Sequence, residues 1–258
     1  MADNNLNTLG RKIFFLYPSA VIQNQIVSML TQEEFEVYCC KNETRLRQGF
    51  KKFPDSIVFA NLNEGLKENV WEEWIKGVIS DPEASGIDVG IVAANENLEL
   101  RRKYTDQLKV RCGFTVLKSD LSAVVKQLIG LLDSVNAKGR RKYIRAVTEN
   151  EANTTVNLPV NGTFVNGIIK DVSTVGFSCS FAEDPELTKN SLVSDIQIRL
   201  ATQLIKAEGI IFGSRMDGDQ KIYVILFSQK ISPDVRTRIR KFIQFFLQAR
   251  MDNDLNKA

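Results

Sequence analysis

The sequence predicts an α/β domain followed by a small antiparallel β-barrel that ends in a helix. Three observations carry this expectation. At 258 residues the chain exceeds the usual length of one domain, so two of roughly 120 to 140 residues are expected. From Arg11 to about Leu132, apolar strand-like runs alternate with helix-like stretches, whereas beyond Gly139 the runs are short and separated by turn signals. With 43% hydrophobic and 25% charged residues, each half can bury a core.

In the first half, Lys12 to Tyr17 reads as a strand, and Ser19 can cap a helix carrying Val21, Ile22, Ile26, Val27 and Leu30. Phe35 to Cys39 is the next strand and Glu43 to Lys52 a helix, and Ser56 to Ala60 is a continuous apolar run of the kind a sheet buries on both faces. Helix Val70 to Ile79, strand Val89 to Val92, helix Leu98 to Leu108, strand Phe114 to Leu117 and helix Leu121 to Leu132 complete the series. Five strands alternating with five helices imply a parallel sheet covered on both faces.

Ser134 to Gly139 is a short polar connector. After it, Val156, Leu158 and Val160 alternate, Asn161-Gly162 is a hairpin turn, and Phe164 to Lys170 returns. Phe177 to Phe181, Ile196 to Leu200, Leu204 to Phe212 and, after Asp217-Gly218-Asp219, Ile222 to Phe227 supply further strands. Pro233 can open a helix whose stripe is Val235, Ile239, Phe242, Ile243, Phe246 and Leu247, with Arg236, Arg238, Arg240 and Lys241 mostly off it. The expected division is an α/β domain at 1–133, a linker at 134–140, a barrel domain at 141–250 and a flexible tail at 251–258.

The chain contains no histidine, which removes histidine-based nucleophile activation, histidine general bases and most catalytic zinc sites. Neither a metal site nor a cofactor is expected, and no Gly-x-x-x-x-Gly-Lys phosphate loop occurs. A non-enzymatic protein is therefore expected. Cys39, Cys40, Cys112 and Cys179 lack metal-binding or redox spacing and read as buried, reduced thiols. The first apolar run, Ile13 to Tyr17, is too short for a signal peptide or membrane span, so a cytoplasmic location without membrane insertion is expected. Up to Ala137 there are 16 Lys and Arg against 18 Asp and Glu, and beyond it 18 against 13, giving −2 and +5. An anionic ligand belongs in the second half.

Two short patterns there point to that ligand. The first is Arg141-x-x-x-Arg145, and 26 positions after Arg145 comes Asp171-Val172-Ser173-Thr174-Val175-Gly176. A spacing of four puts both arginines on one side of a strand or of one helical turn. Their planar forks match guanine O6 and N7 or two phosphate oxygens. On a strand Asp171 and Ser173 share a face, so the carboxylate can accept from guanine N1 and N2 while the hydroxyl donates to phosphate. Gly176 permits a tight turn, a positive φ or a close approach to a ligand.

The order of basic linker, Arg-x-x-x-Arg, barrel hairpin and Asp-x-Ser-x-x-Gly resembles the PilZ family of cyclic di-GMP receptors, over about Lys138 to Arg250. The resemblance implies that Arg141 and Arg145 clamp guanine bases and phosphates, that Asp171 reads guanine, that Ser173 contacts phosphate and that Gly176 allows close approach. Arg140 corresponds to the extra arginine associated in the family with an intercalated ligand dimer. The implied mechanism has the ligand clamp the arginine linker onto the barrel and reorient the N-terminal domain, which addresses a protein partner in motility or surface behaviour. The first half resembles the receiver domains of response regulators in strand order and in Lys118, with flavodoxin-like folds as a related possibility. Pro18 and Ser19 stand at the acid-pair positions, Ala60 at the phospho-acceptor position, and Ala93 or Ala94 at the hydroxyl position. Receiver-type phosphorylation is therefore not expected. The competing reading is a nucleic-acid-binding regulator that uses the basic linker and the Arg236 to Arg250 helix, though no recognised nucleic-acid motif accompanies that charge.

Overall fold

The computed structural model describes residues 10–117, 120–149, 151 and 153–257. Two compact units emerge, Met1–Lys142 together with Gln248–Ala258, and Tyr143–Leu247.

The first unit is built on a parallel sheet of β1 (Ile13–Leu16), β2 (Val37–Cys40), β3 (Ile57–Asn61), β4 (Asp88–Ala93) and β5 (Phe114–Val116), in the order β2-β1-β3-β4-β5. This is the flavodoxin-like order. Every residue of β1, β3, β4 and β5 is buried, which explains why they read as unbroken apolar runs rather than alternating ones. A π-helical turn, Ile22–Ile26, leads into α1 (Val27–Gln32), followed by α2 (Glu43–Gly49), α3 (Glu68–Ile79), α4 (Leu98–Arg102) and α5 (Leu121–Ser134). Side chains of Asn42, Asn97 and Asp120 accept backbone N–H groups at the starts of α2, α4 and α5.

At the C-terminal ends of the strands, β3 runs one residue past Ala60 to Asn61, which is 2% exposed and donates to the Tyr17 carbonyl at 2.9 Å. Tyr17 adopts φ +52°, donates its hydroxyl to Glu43 and meets Trp71 edge-on at 5.8 Å. Gly65, at φ +77°, passes so close that a Cβ there would lie 2.3 Å from the Tyr17 ring. Burial and Glu43 push the Tyr17 phenol up to about 12. Lys118 lies outside the described residues.

At the opposite edge, Arg11 gathers the unit. Its guanidinium donates to the carbonyls of Asp55, Ser56, Gly86 and Val135 and to the Asp88 carboxylate at 2.6 Å. Asp88 is 1% exposed and also pairs with Arg111 at 2.7 Å.

The expected linker at 134–140 is largely part of this unit. Helix α5 runs through Ser134, Ala137 is buried in the core, Arg11 N–H donates to the Ala137 carbonyl at 2.8 Å, and the Lys138 ammonium lies 4.4 Å from the Phe35 ring centre. Only a short stretch around Arg140 and Arg141 remains as a connector.

The second unit is a barrel of seven strands: β6 (Arg145–Val147), β7 (Thr154–Val160), β8 (Thr163–Ser173), β9 (Gly176–Phe181), β10 (Leu192–Leu200), β11 (Gln203–Asp217) and β12 (Gln220–Phe227). Six of them close as β8-β7-β10-β11-β12-β9 through the β8–β9 pairing, and β6 adds to β8 from outside the ring. Asn161 and Gly162, at φ +50° and +83°, make the predicted hairpin turn. The interior holds Val172, Phe177, Ile198 and Ile225, and helix α6 (Pro233–Asn256) adds Ile239 and Ile243. The whole predicted stripe of this helix packs on the barrel core. Arg236, Arg238 and Arg240 are half-buried rather than solvated, and Arg238 donates to the Leu204 carbonyl at 2.9 Å.

The flexible tail expected at 251–258 is instead helical through Asn256, with Met251 and Leu255 buried. Residues from Gln248 onward complete the first unit. The Gln248 amide accepts from Cys39 N–H at 2.8 Å and donates to Cys39 C=O at 2.9 Å, satisfying the outer edge of β2 as a neighbouring strand would. Lys52 pairs with Asp254 at 2.7 Å, and Leu255 sits against Gly49, where a Cβ would meet its Cδ2 at 2.4 Å. Gln248→Ala leaves two edge groups of β2 without their partner. Faster hydrogen exchange at Cys39, with exchange in β4 unchanged, is the expected outcome, measured by amide exchange mass spectrometry. Among the described residues no helix is long and apolar enough to cross a membrane.

Candidate functional site

The site residues come together through strand register on the outside of the barrel. Strand β6 pairs Arg145 with Ser173 and Val147 with Asp171, while β8 and β9 pair Asp171 with Ser178 and Ser173 with Gly176. Ala146, Val172 and Phe177, between them, face the core. Arg145 and Asp171 therefore share the outer face, and Arg145 Nη1 lies 3.5 Å from Asp171 Oδ1.

A bulge creates this arrangement. The β8–β9 register shifts between Ile169 and Asp171, so the extra residue, Lys170, lets Ile169 and Val172 both point inward and turns Asp171 outward. Buried Thr148 holds the bulge, with its N–H donating to Lys170 C=O at 2.8 Å and its hydroxyl to Ile169 C=O at 2.9 Å. Uninterrupted alternation from Ile169 would have placed the carboxylate in the core.

Asp171 is held in place and only partly exposed. Its side chain is 19% accessible, with Oδ1 toward Arg145 and Oδ2 accepting from the Ser178 hydroxyl. Arg145 is 47% accessible and free to approach a ligand from solvent.

Ser173 and Gly176 occupy a different position from the one their chemistry suggests. Ser173 is 4% exposed, and its hydroxyl donates to Gly176 C=O at 3.0 Å and accepts from Val175 N–H at 3.4 Å, closing the two-residue turn between β8 and β9. In this geometry the hydroxyl serves the turn. Gly176 is required by β12: a Cβ there would lie 2.3 Å from Ile225 O and 3.0 Å from Leu226 Cα. Its φ is not positive, so the close approach it permits is between strands rather than to a ligand.

Arg140 and Arg141 are exposed and precede β6, in the segment that clusters with the first unit. Arg145 differs from them. It lies on a strand anchored by fully buried Ala146. Ser178 and Thr148 were missed in the sequence. Ser178 was findable by counting outward from the turn, since pairing Ser173 with Gly176 puts residue 178 opposite residue 171.

The fold is a small antiparallel barrel that follows an α/β domain in the chain. Residues 139–245 match the PilZ domain family, and the C-terminal part of this chain is a PilZ domain. No curated protein sequence matches the chain. Among solved structures, the PilZ domain of YcgR from Escherichia coli, determined with c-di-GMP, is similar over 46% of this chain and 99% of that one, at 16% identity and a TM-score of 0.38. The inhibitor of motility MotI/DgrA from Bacillus subtilis matches over 44% of this chain at 16% identity and a TM-score of 0.36, and the match spans 52% of that protein. The response regulator Rcp1, in its Mn(2+)-bound form, matches over 48% of this chain and 92% of its own length, at 14% identity and a TM-score of 0.38. At such identities and scores the individual structures say nothing about ligand or partner here. The assignment of the barrel rests on the family match.

Proposed function

We propose that this protein is a non-enzymatic cyclic di-GMP receptor of the cytoplasm. The observation that carries this reading is the pairing of Arg145 with Asp171 on the outer face of a PilZ barrel, a half-exposed cation beside a partly exposed carboxylate. Arg145 and Arg141 take the acceptor edge of guanine and the phosphates, while Asp171 takes N1 and N2. Adenine carries an N6 donor in place of O6, an acceptor at N1 and no amino group at C2, so the site discriminates against it even though N7 is shared. Arg140 supplies an additional cation for a second, stacked ligand. Ser173 and Gly176 act by shaping the turn that presents Asp171, and Ser173 contacts phosphate if the turn opens.

Ligand binding draws Arg140 and Arg141 to the barrel and so changes how the first unit is presented to a protein partner, in motility or surface behaviour. A micromolar ligand provides about 8 kcal/mol, and shifting a two-state equilibrium from 1:99 to 99:1 takes about 5.5 kcal/mol of differential binding. The nucleic-acid reading has less support, because Arg236, Arg238 and Arg240 are half-buried against the barrel.

Calorimetric titration with cyclic di-GMP, cyclic di-AMP and GTP tests the assignment. Saturable binding of cyclic di-GMP, at least about tenfold tighter than that of the other two, is the expected result. Equal affinity for all three would overturn it.

A further inference from the structure

Ser178 is a small, buried strand residue, yet its hydroxyl donates to the Asp171 carboxylate. We infer that Ser178 is a positioning residue for guanine selectivity, holding Asp171 so that its free lone pairs face the N1–H and N2–H donors of the base. This inference rests on the proposed cyclic di-GMP site and names a determinant of its specificity.

Three features of the barrel support it. Register sets Ser178 directly across from Asp171, and the hydroxyl, 2% exposed, donates to Asp171 Oδ2. That contact engages one oxygen from the sheet side and leaves the carboxylate to accept from elsewhere with its remaining lone pairs. Without it, the Asp171 carboxylate retains, among the described residues, Arg145 at 3.5 Å, a long contact to a half-exposed side chain that is itself assigned to the ligand. A carboxylate pulled toward Arg145 lies badly for a base that Arg145 must also contact.

The need for such an anchor follows from the bulge. Asp171 adjoins the single irregular step of the β8–β9 ladder, where backbone pairing alone fixes a side chain less tightly. Ser180, the next outward-facing residue of β9, provides the contrast. It is equally buried, at 1% exposure, but its hydroxyl has no hydrogen-bond partner among the described residues. Small size suffices to explain a serine at 180, whereas at 178 the hydroxyl has a bonding role.

The test compares affinity for cyclic di-GMP with that for cyclic di-IMP, which lacks the exocyclic N2 donor that Asp171 reads. The wild type is expected to prefer the guanine ligand. Ser178→Ala is expected to lose about tenfold in cyclic di-GMP affinity and most of the preference over the inosine analogue. Ser178→Cys keeps the volume with a weaker donor and should fall between the two, while Ser180→Ala should match the wild type. Melting temperatures of all variants separate folding from binding.

If the wild type binds and discriminates but folded Ser178→Ala and Ser178→Cys do so equally well, the role of Ser178 is overturned and the receptor reading stands. If the wild type does not bind cyclic di-GMP, both fall together.

Discussion

Replacing Arg11 by alanine is expected to destabilise the first unit by about 3–5 kcal/mol, the range found when one partner of a buried ion pair is removed. Arg11 ties Asp55, Ser56, Gly86 and Val135 together through their carbonyls and neutralises Asp88, which is 1% exposed. After its removal Asp88 keeps only Arg111, whose side chain is 68% accessible. Arg11→Lys retains the charge but not the planar fork that reaches several acceptors at once, so it should recover only part of the loss. Urea unfolding followed by tryptophan fluorescence reads this unit directly, because Trp71 and Trp74 both lie in it. A loss below about 1 kcal/mol would place the pair among weak surface ion pairs and contradict this account.

Asp171→Ala is expected to weaken cyclic di-GMP binding by about tenfold to a hundredfold, the cost of losing hydrogen bonds to a charged group. The barrel should lose about 1–3 kcal/mol of stability, because the buried Ser178 hydroxyl loses its acceptor, whereas the Arg145 contact is long, partly solvated and adds little. Arg141→Ala is expected to weaken binding similarly without affecting the melt, since that side chain is exposed. Parallel calorimetry and thermal unfolding distinguish a lost ligand contact from a damaged fold. Wild-type affinity retained in both variants would remove these residues from the site.

The sequence revealed some parts of this molecule readily and others not at all, for physical reasons. The first-unit strands were legible because a sheet buried on both faces requires uninterrupted apolar runs such as Ile57 to Ala60. The first barrel hairpin was legible because Asn161 and Gly162 accept the positive φ its turn needs. Strand β6 was not, since three residues with one buried side chain carry no periodic signal. Nor was the seal on β2 visible, because Gln248 meets Cys39 across 209 positions.

The site was partly legible. The types and spacing of Arg145 and Asp171 suggested their chemistry, but their common face depends on a bulge at Lys170 that no local pattern marked. Gly176 was read as a glycine that lets a ligand approach closely, and what approaches it in the fold is Ile225 and Leu226 of β12. Ser173 was read as a ligand contact because a serine two residues from an aspartate on a strand should share its exposure. The tight turn buries it instead.

Reading of guanine by Arg145 and Asp171 on the barrel's outer face is the core of the proposed function. Its most direct test is calorimetry of the unmodified protein with cyclic di-GMP at about 0.15 M salt, where weak surface attraction is screened. Saturable binding at micromolar or tighter Kd, with one or two ligands per chain, is predicted. The absence of saturable binding up to millimolar ligand would contradict it.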